Sequence, residues 1–163
     1  MDSLMVMNYS REALCPQGTQ RVGAEALEAL MTRIRRAGGV VVWITAPDTV
    51  ADEPGSEKDE KDYGNDDVLF LQCPEPNAFI GVEDLAPGLH DLSVDRVIIA
   101  GIDTENSIWE TAMAALVHRF EVTLVSDALF TSAQEDASRP EWLAEAETYG
   151  ATIRDAQDIW IRM

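Results

Sequence analysis

The segment of this sequence best placed to do chemistry is Gly101-Ile102-Asp103-Thr104-Glu105-Asn106-Ser107. It leaves the apolar run Val97-Ile98-Ile99-Ala100 and enters a helical pattern over residues 107–118, with Ile108, Ala112, Ala115 and Leu116 on one face. Ser107 therefore stands at a helix N-terminus, where unpaired backbone N–H groups and the helix dipole can hold an oxyanion. The plainer alternative is that Ser107 or Thr104 only caps the helix. Asp103 and Glu105 could supply a carboxylate, although acids at a helix start also stabilise it without further role. Other reactive side chains are few: Cys15, Cys73, His90 and His118. His118 falls eleven residues into the helix and reads as part of its C-terminal end.

Such a site needs strands to deliver it. Leu4-Met5-Val6-Met7 and Val40-Val41-Val42-Trp43-Ile44 are apolar runs without polar alternation, as in strands buried on both faces. Between them, residues 22–37 carry Val22, Ala26, Leu27, Leu30, Met31 and Ile34 at helical spacing, with Arg33, Arg35 and Arg36 near the end and Gly38-Gly39 as the stop. Strand, helix and strand make a βαβ unit. Residues 68–71 can form a short extended segment, 97–101 and 122–125 read as strands, and 141–149 reads as a helix ended by Gly150. Ala151-Thr152-Ile153 suits a last strand, after which Asp155 can cap a short helix. The alternation predicts one three-layer αβα domain over residues 1–163 with a mostly parallel sheet, strands 4–8, 40–45, 96–101 and 121–125 lying adjacent and parallel. Ligands of such sheets bind beyond the carboxyl ends of the strands. That selects residues 8–11, 46–48, 72–79 and 101–107.

Composition narrows the partners. Thirty Asp and Glu against twelve Lys and Arg give the 163 residues a net charge of −18, which repels nucleic-acid phosphates and anionic lipid. The two lysines, Lys58 and Lys61, form no basic patch that offsets it. Nine acids fall among the twenty residues 48–67, so that segment is expected to be a solvated, mobile loop. Two cysteines are no disulfide framework and too few for a structural zinc site. No apolar run is long enough to span a membrane, and Met1-Asp2-Ser3 lacks the flank of a signal peptide. The expected compartment is the reducing cytoplasm.

Residues 95–108, Asp-Arg-Val-Ile-Ile-Ala-Gly-Ile-Asp-Thr-Glu-Asn-Ser-Ile, followed by Thr111-Ala112, resemble the signature stretch of the isochorismatase-like hydrolases. That superfamily includes nicotinamidases and N-carbamoylsarcosine amidase. Val122 to Ala128, ending Val-Ser-Asp-Ala, is similar to the strand that follows, and Leu4 to Asn8 to the first strand. Cys73-Pro74-Glu75-Pro76-Asn77-Ala78-Phe79 resembles the segment that carries the family's catalytic lysine. The resemblance implies a six-stranded, largely parallel sheet flanked by helices. It also implies a pocket walled by Tyr9, Trp43, Asn77, Phe79 and Trp109, and an oxyanion hole from the N–H groups of Asp103 and Ser107 with a cis peptide at Ile102–Asp103.

The family triad is Asp, Lys and Cys. At the matching positions this sequence has Asn8, Cys73 and Ser107. Asn8 cannot accept a proton, Cys73 cannot lower a neighbouring thiol's pKa by charge, and Ser107 is a weak nucleophile without a base. Asn8 also removes the acid of the branch that cleaves vinyl ethers. The loop Ala46-Pro47-Asp48 lacks the histidines of a nicotinamidase metal site, so neither metal nor cofactor is expected. A lone Cys-to-Ser replacement would account for Ser107 and leave Asn8 and Cys73 unexplained. The three changes together leave an uncharged polar pocket with no stranded ion.

Two functions follow. One is a pseudoenzyme, binding domain or assembly subunit that keeps the scaffold and a pocket for a small organic molecule. The other is an enzyme with chemistry rebuilt around Asn8, Cys73 and Ser107. Trp109, Trp142 and Trp160, expected in outer helices, suggest a homodimer, the usual way to cover such a patch.

Overall fold

The computed structural model describes residues 1–7, 24–45, 68–73, 75, 77–103, 107–131 and 142–161. The acidic segment 48–67, Asn8, Tyr9 and Cys15 lie outside them. Strand β1 (Asp2–Met7) leads to helix α1 (Ala24–Arg36), β2 (Val40–Thr45) and β3 (Val68–Gln72). Two short helices, α2 (Ala78–Gly81) and α3 (Leu85–Asp91), precede β4 (Arg96–Asp103), α4 (Ser107–Val117) and β5 (Glu121–Thr131). Helix α5 (Trp142–Thr148), strand β6 (Thr152–Arg154) and a 3₁₀ turn (Ala156–Asp158) complete the order.

The six strands form one sheet in the order β3-β2-β1-β4-β5-β6, and every neighbouring pair is parallel. Parallel strands covered on both faces need apolar side chains on both, which is why the central runs show no polar alternation. Alternate residues divide between two cores. Leu4, Val6, Val41, Trp43, Ile98 and Ala100 pack under α1 and the C-terminal segment. Met5, Met7, Val42, Ile44, Val97 and Ile99 pack against the helices of the other face, with Ile108, Ala112 and Ala115 of α4.

Helix α1 buries Leu27, Leu30, Met31 and Ile34 and closes with the Gly39 N–H on the Ile34 carbonyl, 2.9 Å. That is the six-to-one bond of a Schellman end. Strand β5 is longer than the expected residues 122–125, because a bulge carries it past Ser126 and Asp127. Those polar residues interrupt the apolar run and serve the chain end. The Asp127 carboxylate accepts the Ala156 N–H at 2.8 Å, and the Ser126 hydroxyl donates to Asp155. Asp155 occupies the expected cap position of the last turn, but its side chain makes no capping bond; Asp127 supplies it.

Opposite the bulge, Gly101 has φ of +121° and pairs with Met7. A Cβ there would lie 2.2 Å from the Met7 carbonyl oxygen and 2.6 Å from its nitrogen. Backbone clash adds to the strain of a positive φ, so Gly101→Ala is expected to cost about 3 kcal/mol or more in urea unfolding. A loss under about 0.5 kcal/mol, typical of a neutral site, would contradict this packing.

Candidate functional site

After β1 the chain adds β2 and β3 on one side of the sheet, then crosses to add β4, β5 and β6 on the other. The reversal lies between β1 and β4, so the crevice beyond their carboxyl ends is the switch point where ligands of such sheets bind. Met7 ends β1, Asp103 ends β4, and Ser107 opens α4 four residues later. Cys73 directly follows β3 at the same edge. Cys73 and Ser107 thus follow two strands at one end of the sheet, while Asn8, next after Met7 in sequence, lies outside the described residues.

Ser107 is 3% exposed and begins the buried face that continues through Ile108, Thr111 and Ala112. Its position at the first turn supplies helix-terminal N–H groups and the positive end of the dipole. Thr111, one turn later, entered the sequence analysis only as part of the signature-like stretch, with no role of its own. Its hydroxyl accepts the Ala78 N–H at 3.1 Å and ties α2 to α4. A threonine spaced four residues from Ser107 on the apolar face was the available signal.

Cys73 is 5% exposed and belongs to the core shared with Ala78, Phe79 and Ile108. Its thiol donates to the Glu75 carbonyl at 3.1 Å, with the Asn77 carbonyl at 3.8 Å. Gly81 presses on the sulfur so closely that a Cβ there would be 2.2 Å away. Burial pushes the thiol above its ordinary value of 9.0, and the Glu75 charge adds to this against opposing backbone hydrogen bonds. An activated cysteine needs the reverse shift.

The raised value has a stability consequence. The folded chain holds the Cys73 proton more tightly than the unfolded chain, so that contribution is complete below pH 9.0 and is lost as pH rises through the folded value. The stability difference between the parent and Cys73→Ala is therefore expected to shrink above about pH 9 in urea titrations. A difference that stays constant to about pH 11, about two units higher, would contradict it.

The other sequence-selected residues are distributed as follows. Asn77 caps α2, its carboxamide oxygen accepting the Phe79 N–H at 2.9 Å. Phe79 is buried, with its ring 5.1 Å from His118 and 6.0 Å from Phe120 at the far end of α4 from Ser107. Trp109 packs edge-on against Trp142 and Tyr149 of the α5 region. Trp43 is buried in the α1-side core, on the opposite sheet face from α4. Tyr9 lies outside the described residues.

Asp103 ends β4 in register with Thr131. The expected cis peptide at Ile102–Asp103 is corrected: no cis bond occurs among the described residues. Here β4 continues its ladder with β5, pairing Ile102 with Phe130 and Asp103 with Thr131. That extended ladder is made with the trans form, which non-proline peptides favour by about 3–4 kcal/mol. The expectation for Trp160 also changes, since it follows the 3₁₀ turn and belongs to no helix.

Among the described residues, no group of three His, Cys, Asp or Glu side chains converges to hold a metal ion. No helix among them is long and apolar enough to cross a membrane.

Similar folds occur in several solved structures. N-carbamoylsarcosine amidase from Thermoplasma acidophilum is 21% identical with a TM-score of 0.70, over 97% of this chain and 98% of that one. The nicotinamidase of Staphylococcus aureus is 19% identical with a TM-score of 0.72, over 94% and 98%. An isochorismatase from Pseudomonas putida is 17% identical with a TM-score of 0.70, over 98% and 90%. At such identities the likeness is one of fold. No curated protein matches the sequence. The family model described as the isochorismatase domain matches residues 6–158. With nearly the whole chain matched and the sheet order and switch point in place, this protein belongs to the isochorismatase family.

Proposed function

We propose that this chain is a non-hydrolytic member of its family, a binding or assembly domain that keeps a small-molecule pocket at the β1/β4 switch point. The observation that carries the reading is Cys73. At the position of the family's lysine stands a neutral thiol, buried under Gly81 and held protonated by burial. It supplies neither the cation that would activate a nucleophile nor a thiolate of its own. With Asn8 and Ser107 at the other two positions, proton abstraction and covalent attack both lack a group to perform them.

The ligand class is a small, uncharged or weakly polar organic molecule, bound by the N–H groups at the start of α4 and by Asn8. The test is an activity assay on nicotinamide, N-carbamoyl amides and isochorismate, paired with native mass spectrometry for retained small molecules. A rebuilt enzyme is the second reading, favoured by the burial of Ser107 at a helix start in the ligand crevice. Turnover abolished by Ser107→Ala would establish that reading. The free Cys73 thiol fits a reducing compartment such as the cytoplasm.

A homodimer completes the proposal. Trp109, Trp142 and Tyr149 form an aromatic cluster where α4 meets α5; Tyr149 is exposed there, as is Val117 at the end of α4. A two-fold contact on this face would cover it. Repulsion between two acidic copies is screened beyond about 8 Å at physiological salt, so association should be tighter there than at very low ionic strength. Light scattering at 0.15 M salt is expected to give about twice the 18.0 kDa chain mass. A particle of one chain mass at tens of micromolar would reject the dimer.

A further inference from the structure

On the sheet face opposite α4, the C-terminal segment and the end of α1 border an open groove of about 890 Å³. Its volume is in the range of small-molecule sites. Arg33 and Arg36 line one side, Arg154 and Trp160 the other. Three of the chain's twelve basic residues thus converge here, two from the end of α1 and one from a strand far along the sequence, in a chain that carries thirty acids. Basic residues in the last turn of α1 complement its dipole. That accounts for Arg36 but not for Arg154 or Trp160, which approach from a different segment.

The site is partly built in advance. Arg33 donates to the carbonyls of Ala156, at 2.8 Å, and Ile159, which fixes its guanidinium on the groove wall. Arg36 and Arg154 are exposed and form no ion pair among the described residues. Arg96 holds the Trp160 carbonyl, yet the Trp160 residue is 87% exposed. A pinned backbone carrying a bare indole is an aromatic platform with little ordering entropy left to lose.

We propose that this groove binds an aromatic anion of the mononucleotide class, its phosphates on Arg36 and Arg154 and its base stacked on Trp160. Guanidinium groups suit phosphate because their planar donors match its oxygens. Stacking on tryptophan adds a ring requirement that phosphate alone does not meet. Asp158, the one acid described in the lining, is an acceptor for a ribose hydroxyl. Long nucleic acids remain disfavoured by the −18 field, whereas a short anion spans only the groove, where three arginines outnumber one acid.

The experiment is calorimetric titration of the purified chain with ADP in 0.15 M salt, with adenosine and pyrophosphate as partial probes. Saturable ADP binding is expected, about tenfold or more tighter than either partial probe. The exposed-residue variant Arg36→Ala/Arg154→Ala should weaken it about tenfold, and Trp160→Ala at least about threefold, with unchanged thermal melting. No saturation by about 5 mM ADP would overturn the proposal, as would ADP affinity untouched by either variant or equalled by pyrophosphate.

Discussion

Purified protein is expected to leave nicotinamide, N-carbamoyl amides and isochorismate intact, with turnover at least ~10³-fold below an ordinary enzyme rate of ~10 s⁻¹. Removing one member of a catalytic unit already costs ~10³–10⁶ in rate, because its members act together. On the proposed reading, Asn8, Cys73 and Ser107 stand at all three of those positions. The reciprocal variant is Asn8→Asp, Cys73→Lys and Ser107→Cys in one chain. Single reversions should stay inactive. A lysine introduced at buried position 73 would be an unpaired cation unless position 8 supplies a carboxylate. It would also have to turn away from Gly81, against which the present sulfur packs. Amide hydrolysis that emerges in the triple variant alone is the expected result. Turnover above ~1 s⁻¹ by the parent on any of the three substrates would end the non-hydrolytic reading.

The central sheet could be read from the chain because parallel strands buried on both faces leave a simple mark. Residues 4–7, 40–44 and 97–100 are apolar without alternation, and all became central strands. Helices α2 and α3 were missed for a physical reason. Pro76, Gly81, Pro87 and Gly88 read as turn residues, while the helices are held by the Asn77 cap and by burial of Phe79, Leu85 and Leu89. The position of Ser107 was legible because a strand, a short turn and a helix fix it locally. The setting of Cys73 was not, since the contact with Gly81 depends on how α2 folds back across eight residues. Likewise, the sequence shows Arg33, Arg35 and Arg36 as the basic end of one helix, yet not that Arg154 joins Arg33 and Arg36 once the C-terminal segment crosses α1. Linear charge counting records local runs and is blind to such a meeting.

The same crossing rests on an ion pair at the amino-terminal edge of the sheet, and Asp2→Ala is expected to destabilise the protein by about 3–5 kcal/mol. Asp2 is wholly buried at the start of β1, beside Arg96 at the start of β4. The guanidinium grips the carboxylate with both arms, Nε to Oδ1 at 2.9 Å and Nη2 to Oδ2 at 2.5 Å. Its Nη2 also donates to the Trp160 carbonyl, so one side chain joins two strands and the C-terminal segment. Truncating Asp2 leaves the arginine charge buried without its counter-ion, which costs far more than the net value of the pair. The nearby contact of the Met1 ammonium with Asp95, at 3.2 Å, is solvent-exposed and should contribute under about 1 kcal/mol. Asp95→Ala is therefore the internal control. The double variant Asp2→Leu/Arg96→Met should recover part of the loss, because neither charge is then stranded. Hydrogen exchange supplies the structural readout: in Asp2→Ala, amides near Ala156 and Ile159 should lose protection with those of β1 and β4. A urea-unfolding loss below about 1 kcal/mol for Asp2→Ala, as for an exposed pair, would show that Asp2 and Arg96 do not secure the sheet to its C-terminal segment.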